Sequence, residues 1–379
     1  MSLFLIILGL VLFICLVLVH EWGHYKAARS SGVDVEEFGL GFPPRIWGKK
    51  LKSGMLLSVN LLPLGGFVKL KGEHDADRSK GSFGAASDAD KIRIMLAGVV
   101  MNLVVAISLF TLLAMTGLPK LIPHQFSIKS DTKIVRNDVY VGYIEPDSPA
   151  SSAGLRVGDR LLRYSSDDCS EAQTCKLFSS ADGLRAATSS NAGKTITVEY
   201  ERDRTIKTAS VNLRSNEEVE ASNSTDNPKG FMGVLPSEFT QTRSTWSAPI
   251  QGVVLSYQIT KETFKGIGRA LSSLVKGDTT TASEQVSGPL GIFKILQEGS
   301  RLGINFLLVI IAVISLTLAI MNVLPIPALD GGRLFVMMLF RYAKRPLSKE
   351  TEERIHGTGF AILMLLFILI TIVDVKRFY

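Results

Sequence analysis

Hydrophobic positions in this chain are gathered into runs. Marking the stretches free of Asp, Glu, Lys and Arg gives Met1 to His20, Ile94 to Pro119, Leu302 to Leu329 and Ile355 to Val373. Crossing roughly 30 Å of hydrocarbon at 1.5 Å per residue takes about 20 residues, so each run is long enough to span a bilayer. The pattern predicts transmembrane helices over 1–30, 94–119, 302–329 and 355–375. For the first, a cleaved signal peptide is the alternative, but it lacks a basic n-region and an A-x-A-like cleavage site.

Between the second and third runs the chain turns polar and reads as a folded α+β domain. Tyr140 to Ile144, Gly158 to Arg163 and Thr195 to Tyr200 have strand character, and Pro146 to Gly154 reads as a turn and short helix. Asp147-Ser-Pro-Ala followed by Ala153-Gly-Leu-Arg-Val-Gly-Asp159 resembles bacterial PDZ domains, over about 137–213 within the segment 120–230. PDZ domains capture peptides by strand addition. Gly39-Leu-Gly-Phe42 spells a PDZ carboxylate loop but lies far upstream. Glu217 to Lys229, rich in Ser, Asn and Glu, reads as a linker. The following stretch, 231–301, reads as more linker and an amphipathic helix over Trp246 to Lys276, able to lie on a membrane surface.

Composition agrees with a membrane component. The chain is 46% hydrophobic and 20% charged, with a mean hydropathy of +0.25. Its formal net charge of +7 is not arranged as basic blocks with interleaved aromatics, which argues against nucleic acid. Three cysteines are too few for a disulfide scaffold. The basic residues instead flank the spans. Lys26, Arg29, Arg45, Lys49, Lys50, Lys52, Lys91 and Arg93 lie between the first two, and Arg333, Arg341, Lys344, Arg345, Lys349 and Arg354 between the last two. By the positive-inside rule the loops 31–93 and 330–354 face the cytoplasm, with both termini and the polar domain outside. Lys376 and Arg377 run mildly against that orientation.

Chemistry concentrates at two span ends. His20-Glu-Trp-Gly-His24 fits H-E-x-x-H, which on a helix returns both imidazoles to one face, able to bind one Zn²⁺ with Glu21 beside it as a base for metal-bound water. Ionisable residues at the end of an apolar run are costly and by default functional. Tetrahedral zinc needs a third protein ligand. His74, His124 and His356 lack a matching motif, whereas Asp330 ends the segment Asn322-Val-Leu-Pro-Ile-Pro-Ala-Leu-Asp-Gly-Gly-Arg333. Its two prolines break the helical ladder, and non-helical backbone at membrane depth survives only where protein buries it or it lines a wet cavity. Read alone, Asp330 is equally an ordinary helix end facing the cytoplasm.

With a PDZ domain between them, His20-Glu21-x-x-His24 and Asn322-x-x-Pro325-x-Pro327-x-Leu329-Asp330-Gly331-Gly332 resemble the bacterial branch of the site-2 protease family of intramembrane zinc metalloproteases, over essentially the whole chain. The resemblance implies a polytopic α-helical membrane protein of about four spans, with a membrane-associated β-loop and an inserted extracytoplasmic PDZ domain. It implies one zinc per chain held by His20, His24 and Asp330, Glu21 as general base, and Asn322 on the substrate backbone or developing oxyanion. Gly39 to Gly48 and Ser287 to Ile292 also match. So does Leu57 to Lys71, within a β-loop at 55–73 that in the family dips into the membrane and clamps substrate as an added strand. That makes Leu62, Pro63, Gly65, Gly66 and Phe67 candidate substrate contacts. The implied partners are the lipid bilayer and single-pass membrane proteins trimmed first by another protease, such as anti-sigma factors, or remnant signal peptides. The implied location is the bacterial inner membrane, with the active site toward the cytoplasm. One PDZ domain, rather than two in tandem, departs from the Gram-negative form. Cys169 and Cys175 lie in an insertion expected outside the cell, where a disulfide could close the loop or both could stay free; Cys15, in the first span, reads as packing. Two rivals remain: a non-proteolytic PDZ-bearing scaffold with a structural metal, and a metal transporter, for which neither internal repeats nor a ladder of intramembrane ligands is present.

Overall fold

A computed structural model describes residues 2–166, 175–224, 228–276, 288, 291 and 303–378. The chain divides into two compact units, Met1–Thr116, His124–Ser127 and Thr245–Tyr379 in one, Gly117–Pro123 and Ile128–Ser244 in the other. Among the described residues, four helices of the first unit are long and apolar enough to cross a membrane, over Phe4–Ser30, Asp88–Thr116, Ile304–Val323 and Lys349–Lys376. The chain is therefore a membrane protein carrying β-sheets.

In the first unit, α1 (Ser2–Ser30) ends where Gly32 takes a left-handed conformation and the Val33 N–H reaches back to Ala28 O at 2.9 Å, satisfying a carbonyl the helix leaves open. Strands β1 (Val35–Lys50) and β2 (Leu56–Leu70) follow, both bent. Gly39 pairs with Phe67 on one side and Ser58 on the other, and Ser58 also pairs with Gly48. The segments thus lie in the order 66–70, 35–40, 56–59, 47–50, and among the described residues 66–70 is an edge. Helix α2 (Asp88–Thr116) packs on α1, where a β-carbon on Gly23 would stand 2.7 Å from Ala97 O. Small residues at such crossings let backbones approach where no hydrophobic effect drives helices together. Below the site, Ala27, Ala28, Val33, Val35, Leu70, Phe83, Ile94, Met95 and Met337 form a buried apolar cluster.

The second unit is a seven-stranded antiparallel sheet formed by β3 (Leu118–Pro119), β4 (Lys133–Ile144), β5 (Arg160–Ser165), β6 (Lys176–Leu177), β7 (Thr195–Arg202), β8 (Thr205–Asn212) and β9 (Val234–Arg243). The strand order is β3-β9-β4-β5-β7-β8, with β6 paired to β5. Helices α3 (Pro149–Ser152) and α4 (Ala181–Ser190) pack on it, and its core holds Val139, Leu161, Leu184, Ile196, Val198 and Val211. Two sequence expectations change here. The stretch read as a linker contains helix α5 (Asn216–Ser222), whose Ser215 and Glu218 make a reciprocal capping box; its polar composition is that of a helix start. Beyond it, β9 lies inside the sheet against β4, from Lys133↔Arg243 to Ile144↔Val234, so the domain does not close at Leu213.

Back in the first unit, α6 (Ala248–Val275) is the expected amphipathic helix, but its first turns are packed rather than laid on a surface. Gln251, Gly252, Leu255 and Ser256 are buried, and a β-carbon on Gly252 would stand 2.9 Å from Ile107 O of α2. Helix α7 (Ile304–Val323) stops short of the charge-free run because Pro325 and Pro327 end its ladder. The expected loop 330–354 contains α8 (Asp330–Tyr342), and α9 (Lys349–Phe378) begins before its apolar run does. Most of the Ser287 to Ile292 match lies outside the described residues.

Candidate metal centre

The helical repeat of α1 places His20 and His24 one turn apart, with ring centroids 4.8 Å from each other. Asp330 arrives from far along the chain. His20 Nε2 and His24 Nε2 are 3.2 Å apart, and Asp330 Oδ2 lies 3.2 and 3.3 Å from them. Four tetrahedral bonds of about 2.0–2.1 Å separate ligands by roughly 3.3 Å, so this triangle has the dimensions of one face of a zinc polyhedron.

Hydrogen bonding gives the same reading. A carbonyl can only accept, so the 2.8 Å contact from His24 Nδ1 to Ile94 O puts a ring proton on Nδ1, and the neutral, metal-binding form of the ring then presents its lone pair at Nε2. That lone pair faces a second imidazole nitrogen and a carboxylate oxygen that is buried with no hydrogen-bond partner. Converging lone pairs repel unless a cation lies among them. The donor set, two imidazoles and one carboxylate, is that of catalytic zinc sites that keep a fourth position open for water.

Local backbone explains how Asp330 gets there. After α7 the chain runs through Leu324 to Leu329, with Ala328 in a left-handed conformation and its N–H donated to His356 Nδ1 at 3.2 Å. Asp330 then opens α8. A β-carbon on Gly331 would fall 2.4 Å from Val323 O, and one on Gly332 would collide with Ile326 O. The Gly-Gly pair is thus needed for the turn to fold back on itself. Arg333, one turn on, pairs with Glu73 at 3.0 Å and Glu352 at 3.5 Å.

Glu21 shares a cleft of about 160 Å³ with His24, Asp330, Gly66, Phe67 and Val68. A β-carbon on Gly66 would stand 3.1 Å from Glu21 Cγ, so β2 comes up against the Glu21 side chain. Of the expected β-loop contacts, Gly66 and Phe67 line this cleft; Leu62 and Gly65 lie in β2 and do not, Leu62 being exposed, and Pro63 is placed only by its backbone in β2. Asn322 is half-buried in the last turn of α7 and is not among the cleft-lining residues. Cys175 is disulfide-bonded, whereas Cys169 lies outside the described residues, as does its expected pairing. Cys15 is free and exposed, which does not fit a packing role within the protein.

Two residues of α2 were missed by motif reasoning. A β-carbon on Gly98 would stand 2.4 Å from His24 Nε2 and 2.7 Å from His20 Nε2. The Asn102 amide nitrogen lies 3.1 Å from His20 Nδ1. The available signal was Asn102 itself, a polar residue inside an apolar span.

Against this geometry, the sequence profile of peptidase family M50 matches residues 8–366. The chain is 30% identical over 370 residues to a Clostridium perfringens (strain 13 / Type A) protein provisionally named zinc metalloprotease CPE1693, covering 98% of both. It is 25% identical over 456 aligned positions to the Enterococcus faecalis (strain ATCC 700802 / V583) protein eep, provisionally named a protease, covering 99% of both. It is 24% identical over 454 to the zinc metalloprotease RasP of Geobacillus kaustophilus (strain HTA426), covering 99% of this chain and 98% of that protein. The chain belongs to peptidase family M50.

Proposed function

We infer that this peptidase is an intramembrane zinc metalloprotease that hydrolyses peptide bonds within transmembrane segments of single-pass membrane proteins, with one zinc ion held by His20, His24 and Asp330. The observation that carries the reading is the triangle of lone pairs with edges of 3.2, 3.2 and 3.3 Å. Zinc bound there would polarise the scissile carbonyl and lower the pKa of an attacking water. Glu21, in the same cleft, takes the water's proton and hands it to the leaving amine. Asn322 is assigned to the substrate backbone by resemblance.

A helical substrate hides its carbonyls and must unwind, which inside a membrane requires replacement hydrogen bonds. The edge segment 66–70 is suited to supply them, because among the described residues it pairs with 35–40 on one side only, and Gly66, Phe67 and Val68 line the cleft that holds Glu21. The second unit is read as the PDZ domain. A groove of about 630 Å³ lined by Leu184 and Thr188 of α4 and Val234, Leu235 and Pro236 of β9 runs along a strand edge that, among the described residues, β3 covers only at Gln241 and Thr242. A peptide added there suits substrates trimmed by an earlier protease, whose new ends such a groove can hold. The orientation follows from flanking basic residues: the metal centre toward the cytoplasm of a bacterial inner membrane, termini and sheet domain outside.

The test is metal content of purified protein. Wild type and Glu21→Gln are expected to hold one zinc per chain, and His20→Ala and Asp330→Ala to lose it. Retention by either ligand variant, or several ions per chain as in a transporter, refutes the assignment.

A further inference from the structure

We infer that Asn102 is a positioning residue of the metal centre: its side-chain oxygen accepts the Nδ1–H of His20 and so holds that ring with Nε2 toward Asp330. The inference rests on His20 and Asp330 being metal ligands.

Three residues on one face of α2, spaced by four, meet the two histidines of α1. Ile94 offers a backbone carbonyl to His24 Nδ1, Gly98 offers open space to both rings, and Asn102 offers a side-chain amide to His20 Nδ1. The His24 half is complete as it stands. For His20 the chemistry fixes what the partner must be. A neutral imidazole carries one proton, so an Nε2 that presents a lone pair to the triangle requires the proton on Nδ1. Nδ1 then needs an acceptor. With the amide nitrogen at 3.1 Å, two donors would face each other, while Asn102 Oδ1 is buried with no partner at all. A half-turn of the amide exchanges its two ends and converts the clash into Nδ1–H···Oδ1. Amide ends are assigned from the hydrogen-bond network, and here the network demands the oxygen.

Asn102 is 0% exposed in a membrane-spanning helix, where an unsatisfied polar group is costly and a polar residue is by default functional. Its backbone is also fixed, because the buried Ser315 hydroxyl of α7 donates to Asn102 O at 2.8 Å. Metal-ligating histidines almost always donate their second ring N–H to a fixed acceptor, which sets the tautomer and the ring orientation. The carbonyl of Ile94 and the amide of Asn102 are two solutions to that one requirement, the second made by a side chain and therefore open to mutation.

The experiment measures zinc affinity of the full-length detergent-purified chain by competition with a chromophoric chelator, alongside thermal unfolding of the zinc-free protein and the visible absorption of the Co²⁺-loaded form. Asn102→Leu is expected to lose roughly 10- to 100-fold in zinc affinity and to shift the cobalt bands, with zinc-free unfolding close to wild type. Asn102→Asp, which keeps an acceptor oxygen, is expected to bind zinc close to wild type. Undiminished affinity in Asn102→Leu overturns the proposal, and so does a folded Asn102→Asp that loses as much as Asn102→Leu. If Asn102→Leu does not fold, Asn102→Asp alone decides, by the same affinity. Wild-type zinc affinity in His20→Ala would instead remove the ligand assignment on which the proposal stands.

Discussion

Gly98 of α2 leaves His24 of α1 no room for another atom, since a β-carbon there would lie 2.4 Å from His24 Nε2. Helix α2 thus touches the triangle of His20, His24 and Asp330 while adding no side chain to it. A methyl group at this place must push either an imidazole or the helix backbone.

Gly98→Ala is therefore expected to weaken zinc binding. Overpacking of this kind costs about 1–3 kcal/mol, which is roughly 5- to 150-fold if it falls on the metal site. Zinc retained after dialysis against a graded series of chelator concentrations gives the number. Wild-type retention would mean that α2 moves aside freely.

A second expectation concerns the ionic network beside α8. Lys91 is 0% exposed and pairs with Asp75 at 2.6 Å, and Asp75 also pairs with Arg341 at 3.1 Å. Burial by itself would raise the Asp75 carboxyl, but the hydrogen bond and charge of Lys91, with Arg341 behind them, outweigh it and hold the group below the ordinary carboxylate range. A carboxyl depressed in the folded state contributes stability that is present above its unfolded pKa of about 4 and is lost as pH falls through the lower folded value. Asp75→Ala leaves Lys91 buried without its carboxylate and is expected to cost about 3–5 kcal/mol at neutral pH. The double change Asp75→Leu with Lys91→Met is expected to cost much less. Denaturation in detergent at pH 7 and at pH 3 checks both points. Equal losses in the single and double variants would show that the charge pair is not what matters.

Several features were legible in the sequence because each is periodic or contiguous. Charge-free runs locate the four long apolar helices of the described residues, and the i, i+4 spacing puts His20 and His24 together. Helix ends were not, because a span can begin in charged residues: α2 starts at Asp88 and α9 at Lys349, outside the apolar runs. Strand β9 was hidden by a polar stretch that looked like a linker, since a sheet partner distant in sequence leaves no local mark. Charge counting oriented the loops with Lys91, Arg333 and Arg341, yet all three are tied into ion pairs with Asp75, Glu73 and Glu352 and so also serve packing. At the site, Asp330 depended on resemblance because its approach to the histidines is made by a proline-broken turn. Gly98 and Asn102 stayed invisible because their meaning lies in what α1 brings against them.

If Glu21 performs proton transfer in a zinc-dependent hydrolysis, wild type and Glu21→Gln differ in cleavage but not in metal content. Both are purified, checked for zinc, and incubated with a single-pass membrane protein whose products are mapped by mass spectrometry. Wild type is expected to cut within the transmembrane segment, and Glu21→Gln to keep its zinc while losing about 10²–10⁴-fold in rate. Equal cleavage by the two proteins would show that Glu21 is not the base.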